Sequence, residues 1–232
     1  MEISGARVLV CGASGVLGAA TARALKEAGA SVVAAGRSED RTSAVARDLG
    51  TEPLTLDVVD VDACTAVVDA AAEALGGLDA LVVATGVAGF GPAVDADAAV
   101  VEELFAVNTL GPMALVRAAT RHLPEKGGYV AVLSAILADL PTNGMADYGA
   151  TKAALASWLQ VLRRENRRRF GVLDLRPPHL DTGLAERALV GEPPRLPDGM
   201  DHARVVEALL QGLREDASEV VWDPDAKDLA VR

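Results

Sequence analysis

With 232 residues, half of them hydrophobic but only 3% aromatic, the chain is long enough to bury a sizeable core and suits one α/β domain of parallel strands under close-packed helices. A formal net charge of -11 argues against general binding to nucleic acid or anionic lipid, because phosphate would be repelled over most of the surface. Cys11 and Cys64 lack metal-ligand spacing and read as small buried hydrophobes, so no metal site is expected. With no basic leader, and no apolar run near ~20 residues, the expected location is the cytoplasm.

Ala6 to Cys11 is a short apolar run that ends in Gly12-Ala13-Ser14-Gly15-Val16-Leu17-Gly18, ahead of a helical pattern from Ala19 to Ala28. Strand, glycine turn and helix are the context a dinucleotide fingerprint requires. Gly12 suits the turn, Gly15 lets a pyrophosphate approach the backbone, and Gly18 lets the helix pack on the strand. Ser14, Val16 and Leu17 complete the candidate cradle at a helix start, where N–H donors and the dipole favour an anion. A glycine turn without a ligand is the plainer alternative.

Ser31 to Ala35 reads as the second strand, followed directly by Gly36-Arg37-Ser38. An acidic residue here would hold a ribose 2′-hydroxyl, whereas an arginine accommodates a 2′-phosphate, so Arg37 and Ser38 favour NADP(H) over NAD(H). A solvated arginine is the alternative, and Arg41 could share either role. Leu54 to Leu56 forms a third strand ending in Asp57-Val58; Asp57 could accept from an adenine amino group or cap the connection to a helix over Asp62 to Leu75.

Ala80 to Thr85 is a short apolar run, read as a central strand with Ala84 and Gly86 at its carboxyl end. Val101 to His122 is a long amphipathic helix whose Asn108 must find partners, either as a kink or helix contact or because a site lies beside it. Tyr129 to Ser134 is the next strand and carries a hydroxyl to the same edge. After a loop with Pro141 and Gly144, Tyr148 and Lys152 stand four residues apart at the front of an alanine-rich helix and share one face. An ammonium close to a phenol favours the phenolate and lowers a pKa near ~10, which makes Tyr148 a candidate proton donor and acceptor.

Arg163, Arg164, Arg167, Arg168 and Arg169 crowd the end of that helix, either as a solvated face with favourable dipole interaction or as a docking patch for an acidic carrier protein. Val172 to Leu175 is a sixth strand, leading to Arg176-Pro177-Pro178-His179-Leu180-Asp181-Thr182. His179 faces a substrate there or is satisfied by backbone, and His122 and His202 read as surface positions. The proline-rich segment at about 183–200, with one short helix at most, is a candidate lid. Ala203 to Arg214 is a last helix and Glu219 to Trp222 a last strand.

The alternation of strand and helix predicts one α/β domain over residues 1–232, a Rossmann-type doubly wound parallel sheet of about seven strands with helices on both faces. Ligands bind such sheets at the carboxyl ends of the strands, where Gly12, Arg37, Asp57, Gly86, Ser134 and Pro177 all fall.

Taken together, these residues resemble the short-chain dehydrogenase/reductase family over essentially the whole chain. The family's glycine motif is matched by Gly12, Gly15 and Gly18, its adenine-contacting acid by Asp57, and its catalytic residues by Asn108, Ser134, Tyr148 and Lys152. Pro177, Leu180 and Thr182 resemble the segment the family lays against the nicotinamide. The resemblance implies that Tyr148 exchanges a proton with the reacting oxygen as hydride moves, Lys152 holds the nicotinamide ribose and depresses the Tyr148 pKa, Ser134 hydrogen-bonds the reacting oxygen, and Asn108 positions a water that links Lys152 to solvent. It also implies a homodimer or homotetramer through the helices of Asn108 and Tyr148.

Three departures stand out. The middle glycine sits one place early; Val83-Ala84-Thr85-Gly86 replaces the usual Asn-Asn-Ala-Gly; and Ser134 lies one residue farther from Tyr148 than usual, with Ala135 at the gapless serine position. Either the loop holds an extra residue or the serine role is weakened. Leu137, Leu140, Met145 and Leu184 suggest a mainly apolar substrate pocket. The expected activity is an NADP(H)-dependent exchange between a carbonyl and a secondary alcohol, with a 3-oxoacyl thioester reductase served by a carrier protein, or a non-catalytic NADP-sensing protein, as alternatives.

Overall fold

The computed structural model describes residues 1–232. Eight strands form one sheet in the order β3-β2-β1-β4-β5-β6-β7-β8, where β1 is Arg7–Cys11, β2 Ser31–Gly36, β3 Leu54–Thr55, β4 Ala80–Val83, β5 Gly128–Leu133, β6 Phe170–Arg176, β7 Glu219–Asp223 and β8 Asp228–Val231. The first seven are parallel. The eighth, which the sequence pattern did not reveal, returns antiparallel on β7, with Val220 opposite Val231. The order runs outward from β1 in both directions, so the chain reverses between β1 and β4 and opens the switch-point crevice of a doubly wound sheet.

Because side chains alternate across a strand, each strand feeds two cores. Val8, Val10, Ala131 and Leu173 face one layer with Leu25 of α1 (Val16–Glu27), Leu49 of α2 (Glu39–Leu49) and Leu209 of α7 (His202–Arg214). Leu9, Leu81, Val132 and Val172 face the other, with Val68 of α3 (Val61–Leu75), Leu115 of α5 (Gly111–Ala119) and Leu155 of α6 (Ala146–Asn166).

The long helix predicted around Asn108 is an α-helix, α4 (Ala98–Phe105), running through a π-helical turn (Ala106–Leu110) into α5. The kink therefore lies at Asn108. This stretch also corrects the expectation about apolar runs: Ala98–Ala119 is long and apolar enough to cross a membrane by length and composition alone, yet half of its apolar window is buried within this fold.

The glycine turn is set by close approach. A Cβ on Gly12, whose φ is +91°, would lie 2.6 Å from the Ala84 carbonyl, and one on Gly18 would lie 2.3 Å from the Gly12 oxygen. The turn after β1 can therefore pass against the chain leaving β4, and α1 can rest on that turn, only with those residues. Gly18→Ala should cost about 3 kcal/mol through backbone displacement, read as a fall of roughly 6–12 °C in Tm by calorimetry for a domain of this size.

Candidate functional site

The carboxyl edge of the sheet gathers most of the residues singled out from the sequence. At α1 the N-cap is Gly15, with no side chain capping the first turn, whereas α3, α4 and α7 are closed by Asp60, Asp97 and Asp201. A Cβ on Gly15 would meet only the Gly12 oxygen, at 3.3 Å. The free N–H groups of Val16 and Leu17 thus face an open cradle, which fits a pyrophosphate. Ser14 packs under Gly36, whose own Cβ would come within 2.9 Å of it. Arg37 is exposed just beyond β2, and Ser38 opens α2 without spending its hydroxyl on a cap. Asp57 is exposed and accepts from Val59 N–H at 3.3 Å. Val58 packs on Gly111, and Ala84 donates its N–H to Cys11.

Asn108 is fully buried. Its Oδ1 accepts from Val87 N–H at 2.9 Å, and its Nδ2 donates to Val87 O at 2.9 Å and to Thr151 Oγ1 at 3.2 Å. Both amide protons are spent on protein, so the side chain braces the segment after β4 against α6. Asn108 Oδ1 and Lys152 Nζ lie 3.4 and 3.5 Å from the point where a Gly86 Cβ would stand. Gly86 therefore lies in ordinary contact range of both side chains.

Tyr148 and Lys152 occupy the first turns of α6 and are both buried, with Lys152 Nζ 5.9 Å from the Tyr148 ring centroid and 3.5 Å from Leu133 O. Burial lowers the Lys152 pKa to about 8, opposed by the charge of Asp174. Burial also pushes the Tyr148 phenol up to about 12. The expected depression by Lys152 is overturned, because the loss of water around the ring outweighs a cation at that distance. The ring sits among Ala88, Phe90, Leu104, Met145 and Ala185, with Leu137 and Leu184 packed against them. Tyr148 is thus held as the neutral phenol at ordinary pH, the form that has a proton to give.

Ser134 departs from expectation. Its hydroxyl donates to Asp174 Oδ1 on β6 and is buried there. One hydroxyl has one proton, so in this arrangement Ser134 does not donate to a reacting oxygen. The next residue toward the loop, Ala135, has no hydroxyl to replace it. Of the expected pocket residues, Leu137, Met145 and Leu184 join Tyr148, whereas Leu140 is exposed at the loop tip. His179, half-buried, accepts from Met200 N–H through its carbonyl, and Leu180 forms a bridge with Met200. Pro177 O accepts from Ile136 N–H at 3.0 Å, and Thr182 O accepts from Arg187 at 3.1 Å. The segment after β6 is thereby tied to both loops over the site. The candidate lid lies over the apolar cluster, with Leu189 N–H donating to Ala88 O at 2.8 Å and Phe90 N–H to Val190 O at 3.0 Å.

Phe90, Leu104 and Asp174 escaped the sequence reading. A carboxylate in the middle of an otherwise apolar strand was the available signal for the last. The arginine cluster lies away from this edge: Arg163 is bound to Val172 O at 3.0 Å and to Glu219, and Arg169 O accepts from Gly127 at the opposite end of β5. Lys152 and Arg167 are about 22 Å apart along the helix at 1.5 Å per residue.

The sequence pattern of the family described as short chain dehydrogenase matches residues 6–190. The chain belongs to that family. It is 34% identical over 165 residues to the cyclic-di-GMP-binding biofilm dispersal mediator protein of Escherichia coli, covering 70% of this chain and 67% of that protein. A short chain dehydrogenase from Burkholderia cenocepacia, solved in complex with NADP, is 28% identical with a TM-score of 0.77 and 92% coverage of both chains. A short chain dehydrogenase/reductase from Burkholderia phymatum, solved in complex with NAD, shares the fold at a TM-score of 0.85 and 22% identity, covering 94% of this chain and 89% of that one.

Because Asn108 holds three otherwise buried polar groups, Asn108→Ala should lower stability by about 2–4 kcal/mol, measured as a reduced urea midpoint with an unchanged m-value.

Proposed function

We propose that this oxidoreductase reduces an apolar ketone or aldehyde at the expense of NADPH. The observation that carries the reading is the neutral Tyr148 phenol, buried in an uncharged pocket beside Lys152. A bound nicotinamide supplies the hydride; the chain's own part is to cradle the pyrophosphate on Gly12 to Gly18, receive a 2′-phosphate at Arg37 and Ser38, and hold the carbonyl against Tyr148. Tyr148 then gives its proton to the carbonyl oxygen as the alcohol forms. With Ser134 engaged by Asp174, that phenol carries more of the oxyanion stabilisation than a Ser-Tyr pair would. Charged substrates are disfavoured by the apolar lining, which would leave their charge unsolvated.

The same Ser134 arrangement supports a second reading, an NADP-binding protein without turnover. A carrier-linked thioester finds less support, since the arginine cluster sits at the far edge of the sheet and Arg163 is already paired. Assembly as a homodimer or homotetramer and a cytoplasmic location belong to this proposal as expectations of the family resemblance.

NADPH oxidation across a panel of ketones, aldehydes, diketones and 3-oxoacyl thioesters tests the reading. Turnover on apolar carbonyls should fall at least about 1,000-fold in Tyr148→Phe with NADPH affinity nearly unchanged, and should decline above pH about 8, where Lys152 loses its proton. NADPH binding without turnover anywhere on the panel would favour the second reading. Arg37→Asp should lower the NADPH/NADH preference in kcat/KM by about 10–100-fold, since a 2′-phosphate would then face a carboxylate. An unchanged ratio would remove Arg37 from cofactor selection.

A further inference from the structure

The centre of β6 holds a carboxylate that neither packing nor the proposed proton transfer requires. Asp174 is fully buried, lies opposite Val132 in the β5 register, and points to the face covered by α6. Its Oδ1 accepts from Ser134, and its Oδ2 accepts from Arg176 Nε at 2.7 Å. Arg176 continues outward to Asp139 at 2.9 Å and Glu219 at 3.1 Å. On the inner side, Lys152 reaches Leu133 O, the carbonyl adjoining Ser134. A buried ammonium without a counter-charge is costly, as is a buried carboxylate without donors. The two occur on one face of the sheet with one serine between them.

We propose that Asp174 is a positioning residue, the counter-charge that keeps Lys152 an ammonium in the closed site and that, through Arg176 and Asp139, fixes the loop carrying Leu137 and Met145 over Tyr148. The titratable groups that act on Lys152 are Tyr148 on its own helix and Asp174 on β6; Asp174 is in turn paired with Arg176, which reaches Asp139 in the loop and Glu219, itself bound by Arg163. Asp174 is the innermost carboxylate among them. Arg176 stands outside it, so its positive charge is already shared with Asp139 and Glu219 and does not cancel the field at Lys152. Ser134 is the spacer, and its hydroxyl fixes the carboxylate at the inner position rather than serving the reacting oxygen.

The proposal rests on Lys152 being the residue that serves Tyr148, but its test reads Lys152 directly in ligand-free protein, so either can fail alone. The chain has four lysines, Lys26, Lys126, Lys152 and Lys227, so labelling with lysine carrying 13C at the ε-carbon gives four resolvable signals, and Lys152→Met identifies the relevant one. In the wild-type protein that signal should titrate near pH 8. Asp174→Asn should lower the midpoint by about one pH unit, a tenfold loss of proton affinity, while Glu219→Gln should leave it within about 0.3 unit, because its charge is remote and separated by Arg176. Should the single variant fail to fold with Arg176 orphaned, Asp174→Asn combined with Arg176→Met removes both members of the pair, and the same fall is expected. A Lys152 midpoint that moves by less than about half a unit in whichever folded variant is measured would overturn the proposal and leave Asp174 a purely structural pair for Arg176.

Discussion

The amide of Asn108 is the contact on which the site depends. The chain after β4 leaves the sheet at Gly86 with its backbone groups unpaired, α4 and α5 meet in a π-helical turn, and α6 must bring its first turns over the end of β5. One side chain meets all three demands, by pairing with both polar groups of Val87 and with Thr151. Thr109 adds a second tie, donating to Thr151 O at 3.0 Å. Asn108 stands buried within the π turn, a kind of helix irregularity that recurs at functional sites. Without that brace the position of Lys152 would rest on apolar packing, the Thr109 tie and its own bond to Leu133 O.

Charge is distributed in the same economical way. The surface is strongly acidic, yet the interior near the site holds Lys152, Asp174 and Arg176 in sequence, each facing an opposite sign or a donor. Burial alone would neutralise such groups, and the hydrogen bonds from Ser134 and Arg176 oppose the rise that burial imposes on the Asp174 carboxyl. The one hydroxyl proton of Ser134 is thereby committed to Asp174. The site remains coherent because the phenol beside it keeps its proton at ordinary pH.

Much of this was legible in the sequence. Seven strands and the helices flanking the glycine turn, Asn108 and Tyr148 follow from hydrophobic period and turn residues, and the ligand edge follows from the topology those elements force. The eighth strand was not, because four residues after a turn at the end of the chain carry too little pattern to register. The upward push on the Tyr148 pKa was not legible, since spacing along α6 shows the nearby cation but not the desolvation contributed by Phe90, Leu104 and the lid, which come from distant segments. The bond of Ser134 to Asp174 was hidden for a related reason: its partner lies 40 residues on, in a strand whose register only the folded sheet fixes.

The two peptide hydrogen bonds between the lid and the Ala88–Phe90 segment have a kinetic corollary. They make the lid a short extra rung rather than a loose flap, and each bond exchanged for water on opening costs about 0.5–1.5 kcal/mol net. Were ligand entry to break both bonds, the receptive form would be a minority population and each ligand's apparent affinity would fall by that fraction. Selection would then act twice, first on what could enter while the rung was broken and again on what let it re-form. A molecule that fits the pocket but props the strand open would be held in water-filled space, where a phenol is a poor donor compared with the same group in a sealed cavity.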